Sequence, residues 1–470
     1  MNNALTPARC FFSFAAVLFL ALFALGKDCG YFWDCIQQIS REALWLYDND
    51  WSDIFSRNFP GTGYHVPFMG MTTAALWHAF GKSVVISHVY ALVWSAVLTF
   101  SLWSVVSRLA SGWRAFAIGV LVLSLPTLLA QFFIASPDFI MLASFFMALA
   151  GLASRRMLFF SLGVLLLGLH NMRGAIASVC LVVSVALVWW RMRRSLLPLV
   201  WASMPSVVAL GGYYVTRLVV SGWFLEDSNY SDHYVRPESV AAILHGVASL
   251  VLRMGENGQF IFWLLAVVVA SRWLRARRAL SEFDSVLALF VVSQVMVFVV
   301  FLLSTSMPFS NRYFLPLQVA AMLLVLPEVL RQNRARVVFF AVLVANLTGH
   351  LWVWPERMAQ CWDGSMAHYG FYDLRDAVLQ RTAETDGVLP DGSNVGAGFC
   401  FYFKEREFRP SHPKIIDVTS ADSVDFYIYS NISNEQDAWI DELQDPSLWT
   451  PLFTERRGFV FATLYKRIVE

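Results

Sequence analysis

Residues 285–304, SVLALFVVSQVMVFVVFLLS, decide the fold class of this chain. The stretch is 20 residues long and contains no charged side chain. A helix that crosses a bilayer needs about 20 mostly apolar residues. Ten further apolar runs follow the same pattern, at 10–26, 84–106, 115–134, 138–153, 157–171, 174–190, 196–218, 257–271, 313–330 and 337–354. The sequence therefore predicts a polytopic α-helical membrane protein with about eleven transmembrane helices.

The charged residues divide the chain into two parts. The whole chain is 57% apolar and 15% charged, whereas soluble proteins carry about 25% charged residues. Residues 355–470 hold 19 acidic and 11 basic side chains among 116 residues. We expect a membrane domain at 1–354, with a long first external loop at 27–83, and a soluble domain at 355–470. The net charge of +1 gives no reason to expect a nucleic-acid partner.

The arginines predict the orientation, because cytoplasmic loops of membrane proteins are rich in Lys and Arg. Every second loop carries a basic cluster: Arg108 and Arg114; Arg155 and Arg156; Arg191, Arg193 and Arg194; Arg272, Arg275, Arg277 and Arg278; Arg331, Arg334 and Arg336. With an odd number of spans, the N-terminus is expected in the cytoplasm and the C-terminal domain outside it. The first run follows Arg9 without a small-x-small cleavage site, so we interpret it as an uncleaved anchor.

The first external loop contains more than a linker. Its apolar residues between 33 and 44 repeat at helical spacing, which predicts an amphipathic helix at the membrane surface. The run at 68–80 is too short to cross a bilayer. Asp28 and Asp34 lie where the first helix leaves the membrane, beside Tyr31, Phe32 and Trp33. A carboxylate at that boundary can serve as a general base toward a group that arrives from water.

Four segments together resemble polytopic GT-C glycosyltransferases of the protein O-mannosyltransferase and aminoarabinose transferase type (glycosyltransferase family 39-like). The first loop carries GYHVP at 63–67 and LWHAFGKS at 76–83, where that family has an H-P-P-like stretch and W-x-x-x-F-G-x-S. SPD at 136–138 opens a span, HNMRG at 170–174 stands where a Lys-Gly is usual, and NRYFLP at 311–316 is similar to R-Y-x-L-P. Three departures concern His65-Val66-Pro67, which lacks the first proline, Asp34-Cys35 in place of Asp-Glu, and Arg173 in place of lysine.

The resemblance implies a glycosyltransferase that uses a polyprenyl-phosphate-linked sugar as donor. The sugar would pass to a glycan, lipid or protein acceptor outside the cytoplasm, with inversion at the anomeric carbon. A bacterial inner (plasma) membrane and contact with membrane lipid are expected. The alternatives are a transporter or flippase of lipid-linked sugars and a polysaccharide ligase or polymerase. A further alternative is a structural membrane anchor for the soluble domain. That alternative gives no role to the external arginines Arg173 and Arg312.

Seven side chains are the candidates for the site. Asp34 is the first choice for the general base and Asp28 the second, while either is also explicable as a structural loop acid. Asp138 fits a second catalytic or metal-linked acid, or a favourable charge at a helix N-terminus. Arg173 and Arg312 suit phosphate binding or snorkelling to the interface. Tyr313 and His65 complete the expected substrate-binding set, with interface packing as the alternative for Tyr313.

No cofactor is assigned from the sequence. The nine histidines form no H-x-x-x-H or H-E-x-x-H pattern, and metal-ligand spacing of the C-x-x-C type is absent, so the metal ligands are unknown. Pairs of acidic residues could still bind a divalent cation, so that possibility stays open. Cys29 with Cys35 and Cys361 with Cys400 are candidate disulfides, with unpaired thiols as the alternative.

The remaining expectations concern the C-terminal domain and one external loop. The domain is predicted as a small α/β unit with helices at 371–383 and 435–443 and strands at 395–403, 414–418, 424–430 and 458–467. We expect it to handle the acceptor or form a lid. The loop at 219–256 is either a cover for acceptor or lipid or a solvated linker.

Overall fold

A computed structural model of the chain describes residues 6–49, 51–56, 59–60, 65–222, 236–305, 309–355, 361–384, 395–402, 415–417, 424–432 and 440–468. Gly63 and Tyr64 of the first-loop motif, and the acidic part of the 219–256 loop at 223–235, lie outside these residues. The structure is mostly helical up to residue 349 and ends in a small sheet region.

Fifteen helices are found in the described part of residues 6–349. They are α1 (Pro7–Gly26), α2 (Glu42–Asp48), α3 (Phe68–Phe80), α4 (Val84–Leu109), α5 (Trp113–Leu123), α6 (Pro126–Phe133), α7 (Pro137–Ala153), α8 (Met157–His170), α9 (Met172–Arg191), α10 (Leu197–Ser221), α11 (Val240–Gly255), α12 (Gln259–Ala276), α13 (Glu282–Ser304), α14 (Leu315–Val329) and α15 (Ala335–Gly349).

The helices confirm a multi-pass membrane protein. Fewer described helices than the expected eleven, however, are long enough to cross a membrane. Among the described residues, seven helical stretches are long and apolar enough to cross a membrane, and α5 with α6 makes an eighth if the bent pair is one span. The pair bends by 59°, because Pro126 at the start of α6 disfavours helical backbone at the residue before it. Helices α7, α8, α11 and α15 are apolar but have only 14 to 17 residues.

Helix α11 was not predicted. Residues 240–255 were assigned to an external loop, yet they form a 16-residue helix. Ser239 caps its N-terminus by accepting from the backbone N–H of Ala242 at 3.1 Å. The run escaped notice because His245 and Arg253 interrupt its apolar pattern.

Helices α7 and α14 form the interior of the helical body. All but one of the residues of α14 and most residues of α7 are buried. Helix α8 approaches α7 so closely that a Cβ added at Gly163 would lie 2.4 Å from the backbone nitrogen of Ala148. Small residues allow such backbone contacts between membrane helices. The N-terminal ends of these interior helices are therefore fixed positions from which side chains can project.

The first loop folds onto this body. The expected amphipathic helix is a π-helical turn, Ile36–Arg41, that continues into α2, with Ile36, Ile39 and Ala43 buried. The short apolar run at 68–80 is α3, with the predicted bounds. Cys35 and Cys361 are free thiols. Neither of the two candidate disulfides, Cys29 with Cys35 and Cys361 with Cys400, is therefore formed.

The C-terminal region is the predicted α/β unit. Two 3₁₀ turns, Trp362–Gly364 and Met366–Gly370, precede α16 (Phe371–Glu384); then follow β1 (Val395–Ala397), α17 (Phe399–Tyr402), β2 (Ile415–Asp417), β3 (Phe426–Ser430), α18 (Ile440–Leu443), β4 (Trp449–Arg457) and β5 (Val460–Arg467). The strand order is β2-β1-β3-β5-β4. β1 runs parallel to β2 and β3, whereas β5 runs antiparallel to β3 and β4.

Three details of that region differ from the prediction. Strand β4 was missed, the predicted strand at 395–403 turns into α17 after Ala397, and the described part of the second helix is only α18. One face of the sheet packs through Phe426 and Leu464 into the same core as the membrane helices. Phe32 of the first loop stacks on His368, with ring centroids 4.6 Å apart. The C-terminal region therefore packs against the segment that follows α1.

Candidate functional site

Four separate parts of the chain bring their charged side chains to one place. Asp34 follows α1, Asp138 lies in the first turn of α7, Arg173 lies in the first turn of α9, and Arg312 lies in a 3₁₀ turn, Asn311–Phe314, before α14. All four were predicted, and the structure links them by ion pairs: Arg173 with Asp138, and Arg312 with both Asp34 and Asp138.

Arg312 is the centre of the group. Its Nη2 donates to Asp34 Oδ2 at 2.5 Å, and its Nε lies 3.7 Å from Asp138 Oδ2. Its Nη1 forms an ion pair with Asp363 Oδ2 at 2.9 Å. The Arg312 side chain is only 3% exposed, whereas that of Asp34 is 31% exposed. Asp34 is therefore the acid of this group that an incoming molecule can reach.

Asp138 anchors the second arginine. Arg173 donates to it through Nη2 at 2.8 and 3.0 Å and through Nε at 3.1 Å, so the guanidinium approaches side-on. Asn171 donates to the same carboxylate at 2.8 Å, and its side-chain oxygen caps α9 by accepting from the backbone N–H of Gly174. The HNMRG segment thus builds the helix start and the arginine site together, and Asn171 is a residue that the sequence reasoning missed.

Strained backbone lies close in the chain to two of the site acids, Asp34 and Asp138. Trp33, directly before Asp34, has φ of 53°, and Ala135, three residues before Asp138, has φ of 52°. Non-glycine residues in this region cost about 1–3 kcal/mol and persist where the surroundings fix them. At Ala135 the left-handed backbone ends α6, and Ser136 then caps α7 by accepting from the backbone N–H of Asp138 at 2.9 Å. The break between α6 and α7 therefore fixes Asp138.

Tyr313 and His65 border the two arginines. The guanidinium carbon of Arg173 lies 4.4 Å from the centre of the Tyr313 ring, and that of Arg312 lies 5.5 Å from it. His65 Nδ1 accepts from the backbone N–H of Met172 at 2.9 Å, which leaves the proton of the neutral ring on Nε2. Burial, together with the charge of Arg173, lowers the pKa of His65 to about 4. His65 is therefore neutral at physiological pH.

The three acids have different electrostatic surroundings. Burial opposes ionisation of Asp34, but the charges of Arg312 and Arg173 outweigh it and hold the pKa of this carboxyl below its usual range. Burial dominates at Asp363 and raises the pKa of its carboxyl, despite the nearby charge of Arg312. Asp34 is thus an ionised acceptor at neutral pH, whereas Asp363 is the acid more readily neutralised.

Asp363 is the main residue that the sequence reasoning missed. It lies in the 3₁₀ turn Trp362–Gly364, which the sequence analysis assigned to the soluble domain. An acid between Trp and Gly just after the last apolar run was the available signal. Nothing local in the sequence indicates that the turn folds back onto the membrane helices.

Asp28 does not join this group in the structure. Its side chain is 70% exposed and forms an ion pair with Lys27. His170 also lies apart from the charged group. Its Nδ1–H donates to the backbone carbonyl oxygen of Leu166, 2.6 Å away, and its ring packs edge-on against Phe68 and Trp94.

The donor set does not match a divalent cation. Among the described residues, no group of three or more His, Cys, Asp or Glu side chains could hold a metal ion. Each of the three site carboxylates is directed at a guanidinium group.

Comparison with known proteins shows the fold. The chain matches no protein-family model and no curated protein sequence. It does match the crystal structure of ArnT from Cupriavidus metallidurans bound to undecaprenyl phosphate, with a TM-score of 0.53 and 13% identity over 97% of both chains. The apo form of that ArnT matches with a TM-score of 0.54 and 12% identity, again over 97% of both chains. This chain has a GT-C-like fold. The fold expected from the four sequence segments is thereby confirmed.

Proposed function

We propose that this protein is an integral-membrane glycosyltransferase that moves a sugar from a polyprenyl-phosphate donor to a glycan, lipid or protein acceptor. The observation that carries the proposal is the Arg312-centred group, in which the buried guanidinium of Arg312 and the partly exposed guanidinium of Arg173 stand beside the partly exposed carboxylate of Asp34. A fold shared with an ArnT that was crystallised with undecaprenyl phosphate supports the donor class.

The chemistry is a displacement at the anomeric carbon. The acceptor hydroxyl attacks C1 of the sugar from the face opposite the phosphate, its proton passes to Asp34, and the bond between C1 and the phosphate oxygen breaks. The electron pair of that bond stays on the lipid phosphate. Attack from the opposite face inverts the configuration at C1.

The arginines stabilise the leaving phosphate. Guanidinium groups bind phosphate oxygens through paired N–H donors, and such donors contribute most when they are held in place before the reaction. Arg312 is held by its carboxylate partners and Arg173 by Asp138. When the phosphate takes up part of the Arg312 charge, Asp34 loses a partner that lowers its pKa. Its basicity therefore increases at the moment when it must accept a proton.

The other parts of the chain have supporting roles in this proposal. Tyr313 holds the two guanidinium groups against its ring, and His65 Nε2 donates to the phosphate or the acceptor. Asp138 acts by positioning Arg173. We place the protein in a bacterial inner membrane with the N-terminus in the cytoplasm, and the site and the 355–470 region on the periplasmic side.

The test is transfer by the purified protein. Wild-type chain in nanodiscs is mixed with radiolabelled polyprenyl-phosphate sugars and a periplasmic glycolipid fraction, and labelled product is measured. Transfer that disappears in Asp34→Asn and persists in Asp28→Asn supports the proposal. Movement of the labelled lipid across the bilayer, with no transfer in any preparation, contradicts it and favours a flippase.

A further inference from the structure

The charges of the site do not balance. In the described part of the chain the group holds two guanidinium groups, Arg173 and Arg312, and three carboxylates, Asp34, Asp138 and Asp363. A donor phosphodiester adds one more negative charge. Buried charges that lack compensation are costly, so a carboxylate has to yield its arginine, or take up a proton, when the donor binds.

The three carboxylates differ in how firmly they are bound. Asp138 accepts from Asn171 and three times from Arg173. Asp34 accepts a direct hydrogen bond from Arg312 at 2.5 Å. Asp363 Oδ1 is 3.4 Å from the hydroxyl of Ser310, and its Oδ2 has no hydrogen bond of good geometry in the described structure, although Arg312 lies near it. Asp363 is therefore the most weakly held acid.

The backbone around Asp363 is held firmly in place. Its carbonyl oxygen accepts from Gln131 Nε2 of α6 at 2.7 Å, and the next carbonyl, of Gly364, accepts from Asn257 at 3.1 Å. A Cβ added at Gly364 would lie 2.3 Å from the side chain of Asn311. Exchange at this position consequently involves the Asp363 side chain and not movement of the turn.

We propose that Asp363 occupies the place of the donor phosphate on Arg312 in the empty enzyme, and that phosphate binding displaces it with uptake of one proton. This inference rests on the proposed donor class. The Nη1 of Arg312 passes from the Asp363 carboxylate to a phosphate oxygen, and the proton comes from water onto the Asp363 carboxyl. The site then holds two positive charges, two carboxylates and one phosphodiester.

The surroundings of Asp363 favour that proton. Burial raises the pKa of its carboxyl, and Asp34 and Asp138 raise it further, while Arg312 and Arg173 oppose them. Transfer of Arg312 to the phosphate weakens the strongest opposing charge. The charged and titratable groups that face Asp363 in the described part of the chain include Arg312 and Tyr313 before α14, Arg173 on α9, Asp34 and Cys35 after α1, Asp138 on α7 and Cys361 nearby in the chain.

Binding of a lipid whose own charge does not change tests this proposal. The probe is the monomethyl ester of undecaprenyl phosphate, a phosphodiester with one negative charge across the pH range used. Its Kd is measured for the full chain in nanodiscs at pH 5.5, 6.5, 7.5 and 8.5. For the wild type we expect the Kd to increase with pH, approaching about tenfold per pH unit between the pKa of Asp363 in the free protein and its higher pKa in the complex, because one proton is taken up there.

Asp363→Asn is expected to bind the probe more tightly than the wild type at pH 7.5, with little pH dependence. The matched control is Asp373→Asn, which removes an exposed carboxylate ten residues later and is expected to keep the wild-type profile. Weaker binding by Asp363→Asn with an unchanged pH profile overturns the proposal, because that result marks Asp363 as a support for Arg312.

Two further outcomes remain decisive. If Asp363→Asn does not fold, the wild-type profile decides, and a Kd that is constant from pH 5.5 to 8.5 overturns the proposal. If no folded variant binds the probe at any pH, the proposed donor class fails as well. Binding by the wild type without the pH dependence contradicts the role of Asp363 alone.

Discussion

Two buried arginines at helix ends have very different surroundings. Arg253, at the end of α11, pairs with Glu256, and Trp354 Nε1 donates to the same Glu256 carboxylate at 2.6 Å. Both members of that pair are nearly inaccessible to solvent. Arg312 instead faces three carboxylates, one of which is partly exposed. An ion pair that is closed off from solvent needs only a structural explanation, whereas a partly exposed group with unequal charges points to a ligand that changes the balance.

Replacing each of the two arginines by lysine should give the largest difference between the structural ion pair of Arg253 and the proposed phosphate-binding group of Arg312. Arg312→Lys keeps the charge but loses the paired N–H donors, so we expect the transfer rate to fall at least about a hundredfold. Arg253→Lys should lower the Tm while the folded protein keeps its transfer rate. Radiolabel transfer and thermal unfolding in nanodiscs measure the two effects. Equal loss of transfer in both variants would remove the distinction between the arginines.

Two acids that follow α1, Asp34 beside Arg312 and Asp28 on the surface, give the second contrast. Asp34→Asn should lower the transfer rate by about 10²–10⁴-fold, because a general base is lost, while donor binding persists. Asp28→Asn, on the exposed surface, is the control. Transfer that survives Asp34→Asn and is lost in Asp28→Asn would reverse the assignment of the base.

Glu256 should matter for stability alone. Glu256→Gln removes the charge that compensates Arg253, and we expect the free energy of unfolding to fall by about 1–3 kcal/mol. The KM for the donor in the folded fraction should stay at the wild-type value. A changed KM with an unchanged Tm would mean that the Arg253 pair also takes part in ligand binding.

The dependence of kcat/KM on pH should lack the usual histidine inflection. The pKa of Asp34 is lowered and that of His65 is about 4, so Asp34 stays ionised and His65 stays neutral as the pH falls from 7 to 5. We therefore expect no decline of kcat/KM for the donor over this interval. A decline with a midpoint near the unperturbed histidine value of about 6.5 would identify a different titrating group as essential.

The smallest effect is expected at Tyr313. Tyr313→Phe keeps the ring against which Arg173 and Arg312 lie but removes the hydroxyl. Because the cation–π contact is retained, the transfer rate should fall less than about threefold. A larger loss with an unchanged KM would assign the hydroxyl a part in the reaction itself.

The sequence predicted what lies within single segments. Apolar length gave the membrane class, and Asp138, Arg173 and Arg312 could be assigned because each follows a recognisable pattern at a helix start. Helix α11 was missed because a charged residue within a 16-residue apolar run resembles a loop. The bend between α5 and α6 was missed because Pro126 lies inside one continuous apolar run.

The position of Asp363 shows why the rest of the site could not be predicted from the sequence. Its place beside Arg312 depends on the turn Trp362–Gly364 packing against α6, through a hydrogen bond that joins residues 131 and 363. Such a contact between distant segments leaves no periodicity in the sequence. Asn171 was missed for a related reason, since its cap on α9 and its bond to Asp138 can be recognised only once two helix starts meet.

The decisive experiment is a structure of the full chain in nanodiscs with undecaprenyl phosphate. We expect phosphate oxygens within hydrogen-bond distance of the Arg312 guanidinium, with Asp363 turned away from Nη1 and Asp34 facing the space beside the phosphate. A phosphate bound elsewhere, with Arg312 still paired to Asp34 and Asp363, would overturn the proposed donor site.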